Sequence, residues 1–350
     1  SHSARAAQQS GGSSAPSRQQ APGAMGACNC QGQAKTTSEA AGDFPGDTKN
    51  SAFLFIKPHA VKPAVEELVK KKLSENRIAV VRTGQIKAET IDEKGLIDTH
   101  YGAIASRALK QQPSELVVQP EAKAAFQEVF KLSWAEALQQ GLLHNSASAA
   151  LKLNLKPVEL SEEFAKLKRG TNMVKLGGGF YVGKIQDIYV VNGFYSKLRQ
   201  LFTKPGTCIQ YYEVEWDPAE LSWEKFRAAV VGGTEPGKAA EGSIRRSIFQ
   251  AWADLGLEAE PDTSENGVHA SASPFEGFAE KANWLEVPLA NDPFGNALLR
   301  SGISESTIEA WRGDIPVKFE GKEQSLFDLL EDLDVVNCLE KAKQIANLNA

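Results

Sequence analysis

The stretch Ala52-Phe53-Leu54-Phe55-Ile56-Lys57-Pro58 opens the part of the chain that reads as folded. Five consecutive apolar residues ending at a lysine and a proline are typical of a short strand that is buried on both faces. The stretch therefore predicts the central strand of a sheet. Residues 63–77 follow with apolar positions at helical spacing, which predicts an amphipathic helix, and residues 78–86 predict a second strand.

The pattern changes farther along the chain. Residues 107–191 contain two or three helical stretches and a glycine run, and then a β-like segment at 180–191, so we interpret them as an insertion. Strand and helix patterns resume after it, and short amphipathic helices dominate after Pro288. The predicted organisation is a disordered tail at 1–48, a main domain at 49–286 that carries the 107–191 insertion, and a helical C-terminal extension at 287–350.

Composition places the chain among ordinary soluble globular proteins. Hydrophobic residues make up 42% and charged residues 24%, and the net charge of −5 is spread over both signs. A nucleic-acid-binding domain usually shows a basic face, so we predict no nucleic-acid partner. The four cysteines show neither a disulfide framework nor a zinc spacing, which favours a reducing, cytoplasmic compartment. They are Cys28, Cys30, Cys208 and Cys338.

The N-terminal 48 residues are rich in Ser, Gln, Ala, Gly and Pro, a composition that cannot offset the entropy of ordering. They contain Met25-Gly26-Ala27-Cys28-Asn29-Cys30. If translation starts at Met25, Gly26 is a myristoylation site and the two cysteines are palmitoylation sites, and two such anchors together hold a protein on a membrane. The alternative is a solvated tail without lipid.

A second informative stretch is Asn266-Gly267-Val268-His269-Ala270-Ser271-Ala272-Ser273. It is polar, and its one histidine stands among small residues between two helical patterns. Two interpretations are open at this point: His269 is an exposed loop residue, or it is a nucleophile in a pocket. Glu280 lies eleven residues later, and Trp284 lies four beyond that.

Taken in order, four separated pieces resemble the nucleoside diphosphate kinase family over about residues 51–285, without the insertion. They are Phe53-Leu54-Phe55-Ile56-Lys57-Pro58, Gly232-Gly233-Thr234-Glu235-Pro236 with Glu241-Gly242-Ser243-Ile244-Arg245, Asn266 to Ser273, and Glu280. The family's loop and catalytic segment read Gly-x-Thr-Asn-Pro and Asn-x-x-His-Gly-Ser-Asp-Ser. His100-Tyr101, Phe194-Tyr195 and Trp284 are similar to further family positions.

The resemblance implies catalytic roles for three residues. His269 would accept and return a phosphoryl group, Glu280 would orient its ring, and Lys57 would contact phosphate. An imidazole suits this role because its ordinary pKa is about 6.5, and cations must surround the transferring group. The resemblance implies nucleotide contacts by Lys57, Tyr101, Phe194, Thr234, Arg245 and Asn266, with Asn266 on the sugar and Phe194 stacked on the base. Mg²⁺ would arrive with the nucleotide and be held by its phosphate oxygens, without protein ligands.

Several positions depart from the family pattern, and His59-Ala60-Val61 stands where the family has Asp-Gly-Val. Ala270 and Ala272 stand where the family has glycine and aspartate. The family's arginine four residues before the loop glycine aligns with Ala228, and Arg227 lies one residue off that register. The insertion falls in the family's helical lid over the nucleotide.

The resemblance implies an α/β (α+β) fold with a ferredoxin-like βαββαβ antiparallel sheet, joined here to a helical insertion and a C-terminal extension. It implies nucleoside di- and triphosphates as substrates and a homo-oligomer as the assembly. The alternative is a catalytically weak or inactive nucleotide-binding scaffold in a larger assembly, such as one attached to the cytoskeleton or a membrane. The extra segments favour that alternative, and the retained Lys57, Arg245, His269 and Glu280 oppose it.

Overall fold

The computed structural model of the protein describes residues 49–349. The predicted tail at 1–48, with its lipidation signal at Gly26, lies outside the described residues. In chain order the strands are β1 (Asn50–Ile56), β2 (Ala79–Lys87), β3 (Leu143–Asn145), β4 (Met173–Gly177), β5 (Phe180–Ile185), β6 (Ile188–Val191), β7 (Cys208–Trp216), β8 (Val268–Ala270), β9 (Pro316–Phe319) and β10 (Lys322–Ser325).

The helices of the described residues follow in the same order. They are α1 (Pro63–Glu75), α2 (Ala88–Glu93), α3 (Leu96–His100), α4 (Gly102–Ala105), α5 (Pro120–Phe130), α6 (Trp134–Gln139), α7 (Ser146–Leu153), α8 (Pro157–Ala165), α9 (Tyr195–Thr203), α10 (Trp223–Lys225), α11 (Ile244–Gln250), α12 (Pro274–Leu285), α13 (Pro293–Arg300), α14 (Glu305–Trp311), α15 (Leu326–Leu330) and α16 (Val335–Leu348). Two π-helical segments occur at Ser106–Lys110 and Phe226–Val231, and single 3₁₀ turns lie at Pro58–Ala60, Pro113–Glu115, Pro236–Lys238 and Leu289–Asn291. Among residues 49–349, none of the helices combines the length and apolarity that crossing a bilayer requires.

The main sheet has the strand order β2-β7-β1-β8, and every neighbouring pair is antiparallel. The connection from β1 through α1 to β2 passes over β7, and the connection from β7 through α10 and α11 to β8 passes over β1. This is the ferredoxin-like βαββαβ topology, so the predicted fold class is confirmed. The run at Ala52–Ile56 lies at the centre of the sheet, between β7 and β8, as its unbroken apolar sequence predicts.

Strand β1 divides the core into two layers because its side chains alternate between the faces. Leu54 and Ile56 pack with α1, α10 and α11 on one face, and Phe53 and Phe55 pack with α3, α9 and α12 on the other. All four side chains are fully buried. Burial of each stabilises the fold by roughly 1.5–3 kcal/mol relative to exposure, so the strand whose end carries Lys57 is rigidly held.

The segment predicted as a helical insertion is mixed in structure. It contains helices α5 to α8, but it also forms a second four-stranded sheet with the order β3-β6-β5-β4. Strand β3 pairs with β6 in parallel, and the other pairs are antiparallel. The glycine run forms the turn between β4 and β5, and Gly179 there adopts φ 56°. Helices α8 and α9 pack against each other, so the insertion leads directly back into the main domain.

The C-terminal segment packs its apolar core against α12, through Phe275 and Phe278. It is mostly helical, as predicted, and it adds the hairpin β9–β10. The Asn50 side chain at the start of β1 donates to Oδ1 of Asp334 at 2.7 Å and accepts from the amide of Val335 at 2.9 Å. These buried contacts join the end of the chain to the central strand, within a single compact unit.

Candidate active site

His269 lies on the short strand β8, in register with Phe55 of β1, and not in an exposed loop. Its ring stacks on Phe55 with 4.8 Å between centroids, and its side chain is 18% exposed. Gly267 leads the chain into β8 with φ 90°. A Cβ at that position would stand 2.7 Å from Cδ1 of Ile248, so only glycine fits this approach. The ring is therefore fixed against the sheet while one edge stays accessible.

Glu280 holds the His269 ring from behind. It lies on α12, and its Oε1 is 2.5 Å from Nε2 of His269. Its Oε2 accepts a hydrogen bond from Oγ of Ser271 at 2.6 Å, and that hydroxyl oxygen accepts from the amide of Phe53 at 2.9 Å. A chain of hydrogen bonds thus connects the central strand to the imidazole. Among the described residues, no hydrogen bond is made by Nδ1 of His269.

The electrostatic setting keeps the His269 ring neutral. Burial lowers the pKa of His269 well below its ordinary value, and the charges of Lys57, Arg245 and Arg227 lower it further. Burial raises the pKa of Glu280 to about 8, while its hydrogen bond from Ser271 acts in the opposite direction. A neutral imidazole with a free lone pair is the form that can act as a nucleophile.

His100 is a further residue of the site, matched in the sequence only as part of His100-Tyr101 and without a predicted role. Its Nδ1 lies 3.3 Å from Oε1 of Glu280, and Nε1 of Trp284 donates to the same nitrogen at 3.4 Å. Its ring meets that of His269 edge-on, with 4.6 Å between centroids. Burial lowers the pKa of His100 well below its ordinary value, so this ring is also neutral. The similarity of His100-Tyr101 and of Trp284 to family positions is the sequence signal that identifies His100 as a candidate.

His100, His269 and Glu280 are the one group of three or more potential metal ligands that the described part of the chain brings together, with ligand atoms within 4.8 Å. Two ligands on one tetrahedral zinc ion stand roughly 3.3 Å apart, given bonds of about 2.0–2.1 Å. The 2.5 Å between His269 and Glu280 is instead a direct hydrogen bond. Nδ1 of His100 already accepts from an indole N–H. The donor set therefore fits a hydrogen-bonded relay and not a metal centre.

Lys57 and Arg245 place positive charge beside His269. Nζ of Lys57 donates to the carbonyl oxygen of Ser264 at 2.9 Å. Burial, together with the charge of Arg245, lowers the pKa of Lys57 to about 8. Arg245 donates through Nη1 to the carbonyl of Gly232 at 2.8 Å and through Nη2 to that of Val268 at 2.9 Å. Arg245 therefore joins the glycine loop to β8 as well as lining the site.

Arg227 is a third cation at the site, and it lies in a π-helical segment. The amide of Gly232 donates to the carbonyl of Arg227 at 3.0 Å, a bond that spans five residues where an α-helix spans four. Both Arg227 and Ala228 line the cavity in front of His269. No sequence signal distinguishes this π-turn from a continuous α-helix.

Asn266 lines the cavity and has an unsatisfied acceptor. Its Nδ2 donates to the carbonyl of Thr234 at 3.0 Å and lies 3.3 Å from that of Thr263. Its Oδ1 is buried and has no hydrogen-bond partner. Because a buried acceptor without a donor is costly, this atom is suited to a hydroxyl or an amine of a ligand. The Thr234 side chain is exposed in the same loop.

Two aromatic residues line the site: Phe194 follows the inserted segment, and Tyr101 follows α3. Phe194 precedes α9 and is half-buried, with its ring 6.1 Å from Phe164 and 5.8 Å from Tyr181. Tyr101 packs its ring edge-on to His100 at 4.7 Å, and burial raises its pKa to about 12. Phe164 and Tyr181 belong to the inserted segment, so the insertion shapes the wall that carries Phe194.

One cavity of about 960 Å³ is lined by the predicted nucleotide-binding residues and by His269. Its lining includes Lys57, Tyr101, Phe194, Thr234, Arg245, Asn266 and His269. Glu280 lies instead on a second cavity of about 690 Å³, together with His100. His269 thus lines the first cavity together with Lys57 and Arg245, while its carboxylate partner Glu280 lines the second.

Comparison with known proteins gives no family assignment. No family model matches the chain, and no curated protein matches it. Among solved structures, nucleoside diphosphate kinase from Encephalitozoon cuniculi aligns over 70% of this chain and 92% of its own, with 13% identity and a TM-score of 0.34. An NDP kinase from Pyrobaculum aerophilum aligns over 70% and 98%, with 17% identity and a TM-score of 0.31.

A third structure, nucleoside-diphosphate kinase from Borrelia burgdorferi with bound vanadate and ADP, aligns over 68% of this chain and 87% of its own. The identity is 15% and the TM-score is 0.31. TM-scores this low carry no argument about function.

Proposed function

We propose that this protein is a nucleoside diphosphate kinase that carries a phosphoryl group on Nδ1 of His269. The observation that carries the proposal is the orientation of one ring. Glu280 occupies Nε2, and the other nitrogen of a neutral imidazole is left for the cavity that Lys57 and Arg245 line. A nucleophile, its orienting group and surrounding cations are the components that phosphoryl transfer needs.

The reaction divides into two half-reactions at one atom. The Nδ1 lone pair of His269 attacks the γ-phosphorus of a nucleoside triphosphate, the P–N bond forms, and the bond to the β-phosphate oxygen breaks. The nucleoside diphosphate leaves, and a second one takes the phosphoryl group by the reverse path. Throughout both steps Glu280 accepts the Nε2–H and stabilises the ring as it gains positive character.

Lys57 and Arg245 would offset the charge on the transferring group, with Arg227 beside them. Because Arg245 already donates to two carbonyls, its contribution is a fixed, preorganised charge. Mg²⁺ would be held chiefly by the phosphate oxygens of the nucleotide and would neutralise part of their charge. Carboxylates of Asp262 and Glu265 also line the cavity and are oxygen ligands of the kind that Mg²⁺ accepts.

The rest of the cavity fits a nucleoside. The unpaired Oδ1 of Asn266 suits a ribose hydroxyl donor, and the half-buried face of Phe194 suits a base of any identity. We propose Thr234 as a phosphate or sugar contact and Tyr101 as part of the wall beside the transferred group. Homo-oligomer assembly, cytoplasmic localisation and membrane attachment through Gly26 remain predictions of the sequence.

The competing proposal is a nucleotide-binding scaffold without catalysis. One observation favours it: carboxylates of the C-terminal extension bind Arg227 at the cavity. Steady-state kinetics separate the two. If the protein transfers phosphate between nucleotides through a phosphorylated enzyme, double-reciprocal plots at several acceptor concentrations give parallel lines. Binding of both nucleotides without transfer supports the scaffold.

A further inference from the structure

The C-terminal extension contributes two carboxylates to the wall of the nucleotide cavity. Glu331 and Asp332 both line it. Oε1 of Glu331 and Oδ1 of Asp332 each lie 2.7 Å from the same nitrogen, Nη1 of Arg227. A single guanidinium nitrogen is therefore occupied by two anions that come from a segment more than one hundred residues away.

The backbone fixes this segment in place. The amide of Asp332 donates to the carbonyl of Ala272 at 2.9 Å, three residues after His269. Two residues farther on, Oδ1 of Asp334 accepts from the amide of Trp223, four residues before Arg227, at 2.7 Å. The acidic pair is thus held between the catalytic segment and the helix that presents the arginine.

We infer that Glu331 and Asp332 form an autoinhibitory clamp, which holds Arg227 and which the terminal phosphate of a nucleoside triphosphate must displace. The inference rests on the proposed function, since it concerns access to the same site. Carboxylates and phosphates compete for a guanidinium because both present oxygen pairs that match its planar fork.

The charge balance at this end of the cavity favours inhibition over support. Glu224 lines the same cavity, so it adds a third carboxylate to those of Glu331 and Asp332. Glu276 adds little negative charge, because burial and the neighbouring Glu280 raise its pKa well above the ordinary value. A terminal phosphate that binds Arg227 is therefore repelled by these carboxylates, which weakens its binding.

The contacts of the clamp are weak enough for a ligand to displace them. The Glu331 and Asp332 side chains are 44% and 41% exposed, and half-exposed ion pairs contribute little to stability because water and salt screen them. The Nε and Nη2 groups of Arg227 make no hydrogen bond to described residues. A phosphate can thus contact those donors first and then displace the carboxylates.

The test compares nucleotide binding by the full chain and by the double variant E331Q/D332N. Both substitutions keep the side-chain shape and the backbone bond to Ala272 while removing the charge. The ligand is the Mg²⁺ complex of the non-transferable ATP analogue with a β,γ-imido bridge, titrated calorimetrically at low ionic strength. We expect a Kd about tenfold lower in the double variant, and a smaller change for ADP, which lacks the terminal phosphate.

The matched control is E323Q/E340Q, which removes two exposed charges from the same extension outside the cavity lining. An unchanged or weaker affinity in E331Q/D332N overturns the clamp, because the carboxylates would then be inert or would position Arg227. An equal gain in the control overturns it as well, since net charge alone would explain the effect.

Failure of the clamp and failure of the proposed function give different results. Tighter binding by E331Q/D332N without phosphorylation of His269 keeps the clamp and rejects the kinase. Phosphorylation with equal affinities keeps the kinase and rejects the clamp. If neither wild type nor the double variant binds the analogue, both proposals fall.

Discussion

Oε1 of Glu280 lies 2.5 Å from Nε2 of His269, and this contact decides which ring nitrogen is available to a ligand. The carboxylate is itself fixed, since Ser271 donates to its other oxygen. A rotation of the imidazole would break the bond to Glu280 and leave a buried acceptor unpaired. The arrangement therefore preorganises Nδ1 as the reacting atom before any nucleotide enters.

Removing the Glu280 side chain should slow phosphorylation of His269 without weakening nucleotide binding. We expect E280A to reduce the rate by about 10²-fold, the cost of a misplaced reacting group, while the Kd for nucleotide stays within about twofold. E280Q, which can still accept from the Nε2–H, should lose less. Rapid-quench labelling measures the rate, and E67A on the exposed face of α1 is the control. A loss confined to Kd would contradict a positioning role.

The dependence of kcat/KM on pH should be bell-shaped with its maximum near pH 8. Glu280 must be ionised to accept the Nε2–H of His269, and its pKa of about 8 makes activity rise as pH increases through that value. Lys57 must be charged to bind phosphate, and its pKa of about 8 makes activity fall as pH increases further. Such profiles report the free enzyme.

Two variants assign the limbs of that profile. E280Q should remove the rising limb, because glutamine does not titrate. K57R should remove the falling limb, because arginine stays charged throughout. A flat wild-type profile between pH 6 and 10 would show that neither group limits the reaction. Flat here means that kcat/KM changes by much less than the ~1.4 kcal/mol that one pKa unit represents.

Asn266 should recognise a ribose hydroxyl. The buried Oδ1 without a partner would gain a hydrogen bond from the sugar, worth about 0.5–1.5 kcal/mol. We expect N266A to weaken binding of ADP by roughly 3–10-fold and to leave binding of the 2′,3′-dideoxy analogue almost unchanged. Fluorescence titration of both nucleotides against wild type and N266A measures the loss of affinity for each nucleotide. Equal losses for the two nucleotides would place Asn266 elsewhere than on the sugar.

Lys281 and Asp292 form a buried ion pair that joins α12 to the C-terminal extension. Nζ of Lys281 lies 2.5 Å from Oδ2 of Asp292, and the side chains are 3% and 1% exposed. K281M should lower the free energy of unfolding by about 3–5 kcal/mol, because it leaves a buried carboxylate without a counter-charge. Urea denaturation of wild type and K281M measures this change in the free energy of unfolding.

The double variant K281M/D292N should recover most of that loss, since asparagine keeps the side-chain oxygen that caps α13 but carries no charge. If K281M lowers the free energy of unfolding by less than about 1 kcal/mol, as for an exposed pair, the prediction is contradicted. The Asp292 carboxylate would then gain water or take up a proton at no cost.

The local parts of the fold and site could be predicted from the sequence. The apolar run at Ala52–Ile56 predicts a central strand because burial on both faces removes the polar alternation. The interval from His269 to Glu280 is also local, since it contains one short strand, one turn and two turns of helix. Residues close in sequence determine both features, so the sequence pattern alone predicts them.

Other features depend on contacts between distant segments. Strand β3 pairs with β6 across more than forty residues, and its three residues show no strand pattern of their own. The π-helical segment that contains Arg227 differs from an α-helix by one residue. The ion pairs of Arg227 with Glu331 and Asp332 follow from the docking of the extension, which its helical periodicity predicts but does not position.

The most direct test of the account is covalent labelling of His269. The full chain is incubated with Mg²⁺ and ATP labelled in the γ-phosphate, and the protein is separated from nucleotide without acid. We predict label close to one per active chain, stable in base, lost in acid and discharged by unlabelled ADP. H269N should take up none, and H144N, altered in the second sheet, should label as wild type does. Label that persists in H269N, or its absence from wild type that binds ATP, would contradict phosphoryl transfer through His269.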